Sequence, residues 1–159
     1  MSILRVVRWY CAHAISGFWL TGNAWAAFGA LRLEATISKS EYADNMTSEI
    51  ADLREWTDEI LNATWWRQQP SGGLKNYLKE DTFEDSAGLA LIAAATYRYS
   101  LITKSDKYIP FAEKAFTRLI DLVDEDGWVA SPVDPYNFRT VGEHSPEGTQ
   151  LALGSYSGN

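Results

Sequence analysis

Two stretches of this chain, 24–37 (Ala-Trp-Ala-Ala-Phe-Gly-Ala-Leu-Arg-Leu-Glu-Ala-Thr-Ile) and 87–99 (Ala-Gly-Leu-Ala-Leu-Ile-Ala-Ala-Ala-Thr-Tyr-Arg-Tyr), are apolar on almost every face of a helix. A helix of that kind needs neighbours on all sides. Each is followed by a stretch of a different character. Over 40–62, Met46, Ile50, Leu53, Trp56 and Ile60 recur at helical spacing, while Glu49, Asp52, Arg54, Glu55, Asp58 and Glu59 take the other faces. Over 108–123, Tyr108, Phe111, Ala112, Ala115, Phe116, Leu119 and Val123 form one stripe, with Glu113, Lys114, Arg118 and Asp121 off it. The spacing predicts half-exposed outer helices, one behind each buried inner helix.

Breaks punctuate the pattern at matching points. Pro70-Ser71-Gly72-Gly73 ends the first pair and leads into an extended piece over 74–78; Asp126-Gly127-Trp128 and Pro132-Val133-Asp134-Pro135 end the second. At His144-Ser145-Pro146-Glu147-Gly148 a third unit opens, with Ser145 as N-cap and Pro146 in the first helical position. The chain therefore reads as all-α, a single domain over 1–159 in which a helix pair repeats at roughly sixty residues, in units of about 17–80, 81–143 and 144–159. Inner helices this apolar favour a closed α/α toroid over an open solenoid, whose concave face would leave large apolar patches in water. The chain would supply about two and a half helical hairpins of such a barrel. The polar turns Gly22-Asn23, Glu84-Asp85-Ser86 and Ser145-Pro146-Glu147 would then gather at one pole. Free N–H groups and positive partial charge at helix N-termini favour a carboxylate-bearing ligand there.

Composition narrows the partners. With a net charge of −7 and Lys and Arg scattered rather than clustered, neither nucleic acid nor a membrane is expected. Cys11 is the sole cysteine, and no Cys/His cluster has metal-ligand spacing, so neither an internal disulfide nor a metal is expected. Seven Trp, eight Tyr and six Phe suit a carbohydrate surface and equally a large helical core. Arg5 and Arg8 precede an apolar run interrupted by His13, which reads as the tail of a helix over 1–14 rather than a signal peptide. Asn45-Met46-Thr47 and Asn62-Ala63-Thr64 fit the glycosylation sequon.

The segment Gly17-Phe18-Trp19-Leu20-Thr21-Gly22-Asn23-Ala24-Trp25 resembles the Trp-x-x-Gly-Asn-x-Trp segment of the six-hairpin glycosidases, the unsaturated rhamnogalacturonyl and glucuronyl hydrolases of glycoside hydrolase families 105 and 88. Asp81-Thr82-Phe83-Glu84-Asp85-Ser86-Ala87 and His144-Ser145-Pro146-Glu147-Gly148 look like the openings of later inner helices in fungal members. The resemblance implies an (α/α)6 barrel, of which this chain would be about the second half, and an extracellular enzyme of pectin breakdown that needs no cofactor. It also implies a hydration reaction: an aspartate protonates the double bond of an unsaturated uronic acid, water adds, and the hemiketal collapses to release the next sugar. The principal catalytic aspartate of the family lies upstream of the tryptophan motif, so it is expected outside this chain. Bacterial members usually carry Arg before the Gly-Asn, where this sequence has Thr21.

By position, Trp19, Asn23 and Trp25 are the expected sugar-facing residues, with the two indoles forming a stacking wall and Asn23 capping the helix or offering its amide to a ligand. Glu84 and Asp85 are adjacent carboxylates suited to a general acid or a hydroxyl-binding pair; alternatively Asp85 or Ser86 is a plain N-cap. His144 could bind hydroxyls or move a proton, or be an ordinary loop residue. Trp65 and Trp66 stack on sugar or pack beneath the Pro70 loop. Two functions follow: a glycoside hydrolase acting on an oligosaccharide, or a catalytically silent fragment that binds sugar or a protein partner. The uncovered hairpin faces predict self-association.

Overall fold

A computed structural model of the chain describes residues 18–146 and Thr149. Four long helices carry these residues: α1 (Leu20–Ser38), α2 (Thr47–Trp65), α3 (Ser86–Thr103) and α4 (Ile109–Asp121), with a 3-10 turn at Ala43–Asn45 leading into α2. α1 packs against α2 and against α3, and α3 packs against α4. The two strongly apolar helices thus lie side by side, each with an amphipathic companion.

The core is built from the facing sides of these four rods: Leu20, Ala24, Ala27 and Leu31 of α1, Leu61 and Trp65 of α2, Leu89 to Ala93 and Ala95 of α3, and Ala112, Ala115 and Leu119 of α4. Small residues bring the inner helices close. A Cβ on Gly88 would stand 2.7 Å from Leu20 Cγ and 2.9 Å from Thr21 Oγ1, inside van der Waals contact, so the Leu20 and Thr21 side chains seat against α3 here because position 88 has no side chain. Polar groups drawn into the seams are mostly paired, Ser86 Oγ and Arg98 Nε being the exceptions among the described residues. Trp65 Nε1 donates to Thr96 Oγ1 at 2.9 Å, and Glu34, almost wholly buried, accepts from Arg54 at 2.5 Å and from Ser38 at 3.1 Å.

Several sequence expectations need correction. α1 begins at Leu20, not Ala24, so Gly22-Asn23 lies in the first helical turn and is no turn before it. The N-cap is Trp19, without a side-chain cap bond, and Asn23 donates its Nδ2 to the Trp19 carbonyl at 2.7 Å. The cause is tertiary: the Leu20 N–H is taken by the Asn76 carbonyl at 2.8 Å and the Leu20 side chain is fully buried, which starts the helix earlier than its capping residues imply. Nor is α1 covered on every side, since Trp25 and Leu33 are 44% and 48% exposed. On α2 the buried face is Leu53, Thr57, Leu61, Thr64 and Trp65; Met46, Ile50, Trp56 and Ile60 are only half-buried. α4 ends at Asp121, which leaves Val123 off the stripe and exposed.

The segment expected to be extended over 74–78 is a tie rather than a strand of a sheet. Lys75 bridges Glu84 and Tyr77 bridges Trp19, both antiparallel, and Asp85 N–H donates to the Leu74 carbonyl at 3.1 Å. The third unit opens at Pro146, and the Thr149 N–H donates to the Ser145 carbonyl at 3.0 Å, the first helical bond an N-cap residue accepts. The helix expected over 1–14, Cys11, Glu147, Gly148 and the rest of the third unit lie outside the described residues. No helix among the described residues is long and apolar enough to cross a membrane.

Candidate functional site

The N-termini of α1 and α3 meet at a single carboxylate. Asp85 is the N-cap of α3 and accepts from the Ala87 N–H at 3.1 Å, while Thr21 in the first turn of α1 donates Oγ1 to Asp85 Oδ2 at 2.5 Å. The N–H groups of Gly88 and Val133 also point at this carboxyl. It is 0% exposed. Burial pushes its pKa up, against the lowering effect of the Thr21 hydroxyl and the three N–H donors.

Glu84 and Asp85 do not form the pair that their adjacency suggests. The chain is extended here, so neighbouring side chains take opposite faces. Glu84 instead accepts from Arg118 Nε at 2.9 Å and Ser71 Oγ at 2.6 Å, tying the start of α3 to α4 and to the Pro70 loop. Both carboxylates are engaged inside the fold, Asp85 as the cap that one reading of the sequence proposed.

Over this pole lies the segment 131–141, closed on itself by a bridge between Val133 and Val141. The Ser131 carbonyl accepts from the Ser86 N–H at 3.2 Å, with Ser131 in the left-handed region at φ 64°. That hydrogen bond ties the segment to the start of α3. Asn76 is its second anchor: fully buried, it accepts from Trp19 Nε1 at 2.9 Å and donates Nδ2 to the Phe138 carbonyl at 2.6 Å. The Trp19 ring then stacks on Phe138, centroids 4.5 Å apart and planes 19° from parallel. Beside it, Arg139 lies 4.4 Å from the Tyr77 ring centroid and pairs with Glu80 at 2.8 Å.

The aromatic partner of Trp19 is therefore Phe138, which no sequence pattern marked, while Trp25 stands nearly two turns further along α1 with its ring half in solvent. His144 is exposed, its ring 4.9 Å from that of Trp128. Trp65 is buried against Phe111 and Thr96, whereas Trp66 is exposed and bonded to Asn62 at 3.3 Å. Exposed aromatic faces come from Phe138 and the nearly fully exposed Tyr136 on the covering segment and from Trp25 on α1. Such rings suit stacking against the apolar faces of sugar rings. Among the described residues no group of His, Cys, Asp and Glu is arranged to hold a metal ion.

No family model and no curated protein sequence matches the chain. Solved structures do. A protein of Salmonella enterica serovar Paratyphi A described as a possible member of the GH105 family superposes with a TM-score of 0.76 at 16% identity, over 87% of this chain and 39% of its own. A Klebsiella pneumoniae protein with the same description gives 0.75 at 17% identity, over 87% and 39%. The unsaturated glucuronyl hydrolase of Bacillus sp. GL1, responsible for the degradation of glycosaminoglycan, gives 0.68 at 17% identity, over 86% and 38%.

The chain has the α/α-toroid fold of these proteins. It spans about 40% of their length. In toroid terms α1 and α3 are consecutive inner helices, α2 and α4 their outer companions, and the 131–141 segment a cover across the inner-helix N-termini.

Proposed function

We propose that this chain forms part of a glycoside hydrolase whose substrate is an oligosaccharide ending in an unsaturated uronic acid, released by hydration of the sugar double bond. The supporting observation is the convergence of the inner-helix N-termini on Asp85 beneath a cover that carries Phe138 and stacks it on Trp19, in a fold shared with the unsaturated glucuronyl hydrolase. Trp25, Asn23, Phe138 and His144 serve as sugar-binding groups, and Asp85 positions the pole without touching substrate. Chemistry is supplied by an aspartate elsewhere in the full-length gene product, because the carboxylates at the pole among the described residues, Glu84, Asp85 and Asp134, are already committed to protein partners. A pectin-derived disaccharide is the first substrate to try, and an extracellular setting suits it.

The test is a spectrophotometric assay of the full-length gene product with unsaturated rhamnogalacturonan and glycosaminoglycan disaccharides. Consumption of the ultraviolet absorbance of the conjugated double bond is the expected result, with Trp25→Ala raising KM more than it lowers kcat. Undiminished absorbance across the whole set would overturn the reading.

A further inference from the structure

Away from this pole, α1 and α3 border an open groove of about 610 Å³ lined by Phe28, Arg32, Ala35, Thr36, Lys39 and Arg98. Thr21 and Arg32 are separated by three turns of α1, about 16 Å at 1.5 Å per residue, so the groove is distinct from the Asp85 pole. Three of its six residues are cationic and none is acidic, in a chain whose net charge is −7. α3 contains no acidic residue at all. The single acid of α1, Glu34, is occupied by Arg54 of α2 and by Ser38.

The cations of the groove share one surface, whereas the other described cations without an ion pair, Arg67, Lys79, Lys104 and Lys114, do not line it. Arg54, Lys75, Lys107, Arg118 and Arg139 each pair with a carboxylate, whereas Arg32, Lys39 and Arg98 make no ion pair among the described residues. Arg98 carries a further mark: its Nε is buried and has no hydrogen-bond partner. A guanidinium N–H removed from water without an acceptor is costly, and such groups are rare in native proteins unless an acceptor arrives from outside. Lys39, the residue that caps the C-terminus of α1, is accounted for by the negative end of the helix. Arg32 and Arg98 lie more than a turn inside their helices, where that effect has faded.

We propose that this groove is a binding site for an oxyanion, a carboxylate, sulfate or phosphate group carried by a small molecule. Arg98 swings toward the ligand, which brings its Nε–H out of its shielded position and onto the oxygens together with the rest of the guanidinium fork, as a planar fork binds such groups. Arg32 and Lys39 close on the remaining charge, and the Phe28 ring packs against the apolar part of the ligand. The site does not depend on the hydrolase reading and would stand if that reading failed.

Isothermal titration calorimetry on the full chain tests it, using inorganic phosphate, sodium sulfate and a saturated digalacturonate, each against chloride at matched ionic strength. Saturable heat with at least one of the three is expected. Heat with the inorganic ions assigns the site to free anions, and heat with the uronide alone assigns it to an acidic sugar; either supports the oxyanion site. Arg98→Gln and the double variant Arg32→Gln/Lys39→Gln should each weaken binding at least tenfold, with circular dichroism unchanged. Arg98→Lys should fall between them and the parent. Lys114→Gln, on the outer helix, should bind as the parent does. Identical titrations in all three anions and chloride, or binding undiminished in the double variant, would overturn the proposal.

Discussion

α1 and α3 have the same kind of sequence and the same place in the architecture, yet they are buried to different degrees. α3 buries ten of its 18 residues and α1 six of its 19, and the surplus apolar surface of α1 is concentrated at Trp25 and Leu33. Their starts differ as well. α3 is capped by a buried carboxylate that gathers donors from three segments, while α1 starts on Trp19 with no side-chain cap. Apolar residues around a full circumference therefore state what a helix can tolerate. Which faces are covered is decided by neighbours that the helix itself does not encode.

The largest expected effect lies in the core of the better-covered helix. Leu91→Ala should cost about 2–5 kcal/mol in urea unfolding, and Leu33→Ala, on the open face of α1, less than about 0.5 kcal/mol. Equal losses would erase the distinction between the two helices. Next come the helix starts. Asp85→Ala removes an N-cap and strands the Thr21 hydroxyl and the Val133 N–H, so about 2–4 kcal/mol should be lost, against near-neutrality for Asn23→Ala.

Asp85→Asn sharpens the same contrast through pH. Because burial raises the Asp85 pKa in the folded state, the folded chain holds this proton more tightly than the unfolded chain does. Its stabilising contribution is complete below the ordinary carboxylate range and is lost as pH rises through the folded-state value. The difference in stability between parent and Asp85→Asn should accordingly shift against the parent from acid to neutral pH, as read from denaturant midpoints. A constant difference would show that the carboxyl titrates as it does in the unfolded chain.

The smallest effect concerns assembly. We propose that the open face of α1 drives weak self-association of the isolated chain, which sedimentation should reveal as concentration-dependent and which Leu33→Glu should reduce. A monomer at all concentrations would remove that role from Trp25 and Leu33.

Much of this was readable from residue pattern, because inner and outer helices differ in how their apolar residues are spaced, and spacing is local. The start of α1 was not, since it depends on the carbonyl of Asn76 on a segment far along the chain. Asp85 was legible as a cap by residue type, but its Thr21 partner is 64 residues away and nothing in either segment announces the bond. Asn76 carried little signal, because Lys75 beside it is polar as well and nothing in the alternation over 74–78 says which of the two turns inward. Phe138 carried none: it lies beyond the Pro132 and Pro135 break, where no periodicity marks an inward face.

The missing side chain at Gly88 has a consequence for the ring as a whole. A toroid made by repeating one hairpin closes only if each unit is rotated by the right step from the last, and an error at one seam is handed on to every unit after it. At the α1 and α3 seam that step depends on how closely the Leu20 and Thr21 side chains seat against the backbone of Gly88, so a single methyl group there would act as a wedge, and its leverage would grow with distance around the circle.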